Sequence, residues 1–85
     1  MNWRVVFTNV AKRHLRKIPR EDARRIEVTV REMEENPFDG DIVKLGGEGD
    51  RWRRRIGEYR MMYSLDLKGE IIFIYDIERR TSSTY

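Results

Sequence analysis

The chain has 85 residues, no cysteine and one histidine, with 18 Lys and Arg against 15 Asp and Glu for a formal charge of +3. That length supports a single domain, residues 1–85, with one modest core, and the missing cysteines exclude a disulfide framework and thiolate metal sites. His14 has no partner acids at metal-binding spacing, so no metal or cofactor is expected, and no apolar run reaches the length of a signal or membrane segment, so the expectation is a cytoplasmic protein without membrane contact.

Residues 3–7 are apolar and β-branched and predict a strand. Thr8 or Asn9 then caps a helix to about residue 18, with Ala11, Leu15 and Ile18 on its apolar face. Pro19 interrupts, and a second helix over about 20–35 carries the stripe Ala23, Ile26, Val30 and Met33. Asn36-Pro37 ends it and Phe38-Asp39-Gly40 turns the chain. Helices joined so tightly predict an antiparallel hairpin. Residues 41–45 form a brief extended piece, followed by a loop with Gly46, Gly47 and Gly49 that lacks the Lys-Ser/Thr ending of a phosphate-cradling motif.

A strand over 51–56 comes next, and Gly57-Glu58 turns it into a second over 59–67. There Tyr59, Met61, Tyr63 and Leu65 share one face, and Arg60, Met62, Ser64 and Asp66 the other. Lys68-Gly69 leads into residues 70–77, whose apolar run on both faces marks a central strand. From Glu78 a polar tail runs to Tyr85. The expected class is α+β, with an N-terminal strand and a helix hairpin packed on one face of a mainly antiparallel four-stranded twisted sheet, in the order β-α-α-β-β-β.

Charge is unevenly spread. Residues 1–20 carry six bases and no acid, 21–50 four bases against ten acids, and 51–85 eight bases against five acids. The densest feature is Arg51-Trp52-Arg53-Arg54-Arg55, where period two puts Arg51, Arg53 and Arg55 on one face and Trp52, Arg54 and Ile56 on the other. Trp52 and Ile56 are expected to anchor the strand, Tyr59 and Tyr63 to pack, and His14 to be a solvated or partly packed helix residue. Arginine forks match phosphate oxygens two at a time and stay charged at any working pH. Arg53 and Arg55 project from one strand, Arg60 begins the next, Arg79 and Arg80 follow the central strand and Tyr85 closes the chain. If the strands adjoin, these groups converge on one site. No nucleophilic cysteine or histidine pair accompanies them, so the chemistry they suit is one in which the substrate supplies its own nucleophile. RNA does so through its 2′-hydroxyl, and the protein then orients the sugar-phosphate and stabilises charge on the phosphate oxygens.

The pieces Asn36-Pro37-Phe38-Asp39-Gly40, Lys44-Leu45, Trp52 to Arg60 running into Met62-Tyr63, and Arg79 to Tyr85 together resemble the RelE/ParE superfamily of bacterial and archaeal toxins over essentially the whole chain. The resemblance implies a compact toxin that a helical antitoxin wraps and neutralises. RelE-type members cut mRNA in the ribosomal A site, whereas ParE-type members inhibit DNA gyrase without the full nuclease set. By that resemblance Arg53 and Arg55 match two basic residues of the active strand, Arg60 the arginine of the Tyr-Arg pair, Arg79 the tail arginine and Tyr85 the tail tyrosine. Arg51 and Arg80 are further RNA-binding candidates.

Three departures stand out. Arg55 cannot act as a base, Glu78 stands where many relatives carry histidine, and Arg54 occupies a usually apolar position. The implied function is a metal-independent endoribonuclease that cleaves ribosome-bound mRNA by 2′-hydroxyl attack. Arg60 and Arg79 would hold the scissile phosphate, Arg53 and Arg55 would position flanking phosphates, and either Tyr85 or Glu78 would act as base. The alternatives are a ParE-like gyrase inhibitor and an inactive, antitoxin-bound co-repressor.

Overall fold

The computed structural model describes residues 2–46 and 50–79. Their order is β1 (Arg4–Phe7), α1 (Asn9–Arg16), α2 (Arg20–Glu35), β2 (Ile42–Lys44), β3 (Arg51–Ile56), β4 (Tyr59–Asp66) and β5 (Ile71–Arg79). The strands form one sheet in the order β1-β5-β4-β3-β2. Only β1 and β5 are parallel, and the helices supply the crossover that a parallel pair needs. The expected α+β architecture is present, and the brief extended piece after the helices is a fifth strand, because Ile42, Val43 and Lys44 pair with Arg54, Arg53 and Trp52.

Local chemistry explains the helix ends. Thr8 is extended, and its hydroxyl accepts a hydrogen bond from the Ala11 N–H at 3.2 Å, satisfying one of the donors a helix start leaves open. Helix α1 stops at Arg16, two residues short of the sequence expectation, and basic residues in its last turn face the negative end of the helix dipole. Pro19 precedes α2, whose first turn carries Glu21 and Asp22 at the positive end. Ile26 and Met33 of its stripe are buried. Thr29, which the apolar pattern passes over, is buried too, with its hydroxyl donating to Arg25 O at 3.0 Å.

One face of the sheet packs against the helices. Met61, Tyr63, Ile72 and Ile74 there are all at 0% exposure. Helix α1 lies chiefly against β5, and α2 reaches both β1 and β3. The other face is uncovered, as the alternation of buried and half-buried residues along β4 shows. No helix among the described residues is long and apolar enough to cross a membrane.

The departure that matters most is a bulge. Tyr63 pairs with Ile74 but Met62 pairs with Asp76, so Tyr75 has no partner. An extra residue reverses which side chains face the core. Counting by two from Ile72 and Ile74 would send position 76 inward, whereas the structure buries Ile77 at 3% exposure. Strand β5 then continues to Arg79, past the expected end at residue 77.

Candidate nucleic-acid interface

Register places the arginines. Arg51 lies opposite Ser64, Arg53 opposite Met62 and Arg55 opposite Arg60, all on the uncovered face. Arg60 is in turn opposite Glu78 on β5. Arg55, Arg60 and Glu78 therefore form one row across three adjacent strands, with neighbouring strands about 4.8 Å apart. Arg54 and Trp52, which alternate with these arginines, face the helices beside Met61 and Tyr63.

Few acids oppose this strip. Among the described residues, Arg51, Arg53 and Arg60 have no carboxylate within ion-pair distance. Arg60 Nε is buried and has no hydrogen-bond partner there, a condition that costs about 1–3 kcal/mol and favours an anionic acceptor. Arg55 Nε lies 2.9 Å from Asp41 Oδ2, but both side chains are more than half exposed, and such pairs contribute about 0–1 kcal/mol. Asp76 is diverted elsewhere: its Oδ1 lies 2.7 Å from His14 Nδ1 and accepts from the Ile77 N–H at 2.9 Å. His14, expected as a solvated or partly packed helix residue, is partly packed and ties α1 to β5. A sequence separation of 62 residues left no signal of that contact.

Arg79 is a correction to the sequence reading. It pairs with Tyr59, so it belongs to the helix-bearing face, opposite to Arg60. Its Nη2 donates to Glu58 Oε1 at 3.2 Å, and it borders a cavity with His14, Lys17 and Tyr59. The bulge at Tyr75 is the physical cause, since it moves Glu78 onto the arginine face and Arg79 off it. Arg80 and Tyr85 lie outside the described residues.

Behind this face, on the helix-bearing side, two buried tyrosines are tied by their hydroxyls. The Tyr63 hydroxyl donates to Pro37 O at 3.2 Å, and burial pushes its pKa up to about 12. The Tyr59 hydroxyl donates to Asp22 Oδ2 at 3.3 Å, and burial, then the Asp22 carboxylate, raises its pKa above the ordinary value. Arg54 fits its apolar surroundings by laying its guanidinium under the turn that follows α2. There Nη1 donates to Asp39 O at 3.2 Å, and Nη2 lies 3.7 Å from Glu32 Oε1. Trp52 packs edge-on against Phe38, with ring centroids 5.7 Å apart, so it anchors the strand from the helix side.

A family model described as the ParE toxin of the type II toxin–antitoxin system, parDE, matches residues 5–83. The chain belongs to the RelE/ParE toxin superfamily. The archaeal RelE of Pyrococcus horikoshii OT3, solved in complex with RelB, superposes with a TM-score of 0.85 at 30% identity, covering 98% of this chain and 100% of that one. The isolated Escherichia coli RelE toxin gives 0.83 at 19% identity, over 95% and 87% of the two chains. The YoeB/ParE toxin of Agrobacterium tumefaciens gives 0.76 at 19% identity, over 92% and 99%. The last two likenesses show the fold alone. No curated protein matches the sequence. By fold, then, the molecule is the toxin of a toxin–antitoxin module, and its RelE/ParE sheet keeps one face uncovered with Arg51, Arg53, Arg55 and Arg60 of β3 and β4 on it.

Proposed function

We propose that this RelE/ParE-fold toxin is a metal-independent endoribonuclease that cleaves ribosome-bound mRNA. The observation that carries the proposal is the row Arg55–Arg60–Glu78 on the uncovered face, with a buried, unpartnered Nε on Arg60. Arg60 and Arg55 hold the scissile phosphate and stabilise charge on its oxygens. The Glu78 carboxylate takes the proton of the 2′-hydroxyl as the 2′ oxygen bonds to phosphorus. The phosphorus–5′ oxygen bond breaks, and the leaving oxygen takes a proton from solvent. The products are a 2′,3′-cyclic phosphate and a 5′-hydroxyl end. Arg53 and Arg51 position flanking phosphates.

In this reading Tyr85 remains the alternative base. We assign the tail-arginine role to Arg80 in place of Arg79, whose strand register puts it on the helix-bearing face. A helical antitoxin is the proposed protein partner, as the Pyrococcus RelE occurs with RelB.

A second reading, inhibition of DNA gyrase by binding, is favoured by the match of residues 5–83 to the ParE model. Expression in cells with mapping of mRNA ends separates the two. Cuts phased with codons support the nuclease, whereas DNA damage with intact messages supports the gyrase inhibitor. Unimpaired growth without antitoxin would leave only an inactive co-repressor.

A further inference from the structure

The uncovered sheet face has two halves, and the proposed reaction uses one. Toward β3 it is cationic. Toward β1 it carries an apolar patch flanked by one cation, Arg4, opposite Ile71: Val6 lies opposite Phe73, and Phe73 opposite Ser64, which is opposite Arg51. Val6 is 37% exposed, and Phe73 is half-buried without belonging to the core between sheet and helices. Phe73 is flanked along β5 by the fully buried Ile72 and Ile74, which hold the strand and fix the ring's position. Ser64, small and half-buried, leaves the floor low between ring and guanidinium.

A face with an aromatic ring on one side and guanidiniums on the other suits an unstacked nucleotide, which presents a flat base and an anionic phosphate from opposite sides of its sugar. Arg51, Arg53 and Arg55 follow one another at about 6.6 Å along β3, close to one phosphate step of an extended strand. Ser64 is four residues from Arg60 along β4, so Phe73 lies roughly 14 Å from the row that would hold the scissile phosphate. That is about two extended nucleotides.

We infer that Phe73 is a base-stacking platform for single-stranded RNA, occupied by a nucleobase about two nucleotides from the bond that breaks. The inference rests on the proposal that this face takes RNA, and it adds a specificity element on a different strand from the arginines. Stacking favours the larger π-face, so a purine is selected there.

The test is binding of the full chain to a fully 2′-O-methylated tetranucleotide, which cannot be cleaved, carrying 2-aminopurine or an abasic residue at each position in turn. Phe73→Ala should weaken binding about 5- to 100-fold, as should an abasic residue at one position, and in Phe73→Ala that abasic residue should cost nothing further. Phe73→Leu, which keeps the apolar cover without the ring and so protects against loss of folding, should behave like Phe73→Ala. Phe73→Trp should retain binding and 2-aminopurine quenching. The salt dependence should be unchanged by Phe73→Ala and shallower by about one ion in Arg53→Ala.

Equal affinity of Phe73→Leu and the unaltered chain overturns the inference. So does an acidic amphipathic helical peptide occupying the face while the tetranucleotide fails to bind. Because the probe is uncleavable, the two proposals fail separately. Phe73-dependent binding by a protein that cuts no RNA removes the nuclease reading and keeps the platform. Cleavage indifferent to Phe73 does the reverse.

Discussion

Arg60 and Glu78 face each other directly across β4 and β5 on the uncovered side of the sheet, one residue before Arg79 turns to the helices. A guanidinium and a carboxylate are thereby placed as neighbours, the pair to which the proposed reaction gives the phosphate and the proton. Replacing Arg60 by Ala should lower RNA cleavage by about 10²- to 10³-fold, the usual cost of losing one preorganised donor to a developing oxyanion. Arg79→Ala should cost at most about tenfold, and Arg80→Ala should cost more than Arg79→Ala. Single-turnover cleavage by the four proteins checks this order. Arg79→Ala falling as far as Arg60→Ala would show that the ion pair with Glu58 opens and the side chain crosses to the other face.

The assignment of the base is tested separately. Glu78→Gln should lower cleavage by about 10²- to 10⁴-fold, while Tyr85→Phe should have a smaller effect. The opposite order assigns the proton to Tyr85. If neither falls by more than about tenfold, neither group moves it.

Alkaline pH should destabilise the fold through Tyr63. Its hydroxyl is buried, and its pKa is pushed up to about 12, while the nearby Arg54 guanidinium pulls weakly the other way. The unfolded chain releases this proton near pH 10, so the folded state binds it more tightly. The stabilisation is complete below about pH 10 and is lost as pH rises toward 12, by about 2–3 kcal/mol. Tyr59, shifted in the same direction, adds to the slope. Urea midpoints should fall between pH 9 and 11.5, and Tyr63→Phe should fall less steeply. A midpoint flat over that range contradicts the account.

Gly40 and Arg54 should be energetically coupled. Gly40 has φ +92, and a Cβ there would sit 2.6 Å from the Arg54 guanidinium carbon. Gly40→Ala should cost about 1–3 kcal/mol. Arg54→Met removes a partly buried cation and its hydrogen bond together and should change stability by about 1 kcal/mol or less. In the Arg54→Met background the alanine should cost less, leaving the strain at φ. Additive denaturation energies in this double-mutant cycle would deny the contact.

The turn before β5 holds Glu70 at φ 56, while the adjacent Gly69 adopts no left-handed conformation. An L-residue there costs about 1–2 kcal/mol, part of which glycine recovers at the cost of its own chain entropy. Glu70→Gly should raise stability by about 0.5–1 kcal/mol, read as a melting temperature a few degrees higher. A lower melting temperature would mean that the Glu70 side chain contributes more than the strain costs.

The elements best seen in the sequence are those whose burial alternates cleanly. Tyr59, Met61, Tyr63 and Leu65 are all buried, as their spacing implies, and Arg51, Arg53 and Arg55 share the open face. The helix stripe is clear in Ile26 and Met33, while Thr29 escapes it because a hydroxyl bonded to a backbone carbonyl buries as well as a methyl does. The bulge was hidden because residues 71–75 are apolar on both faces, so period two carries no phase there. The available signal was Ile77, three residues after Ile74, a spacing that only an extra residue reconciles with one face. Missing it placed Arg79 with Arg60. The contact between His14 and Asp76, and the resting place of Arg54 under Gly40, depend on chain segments brought together by the fold, which residue spacing does not encode.

The central claim is that RNA breaks itself while held by Arg60 and its neighbours. The most direct measurement is cleavage of ribosome-bound mRNA by the purified chain, using messages with a single 2′-deoxy nucleotide at the site that is cut in the all-ribose message. The account predicts 2′,3′-cyclic phosphate ends from the all-ribose message, protection by the one missing hydroxyl, and no cleavage above about 1% of the original rate in Arg60→Ala. Cleavage that persists at the deoxy position, or an intact message while gyrase is inhibited, would contradict it.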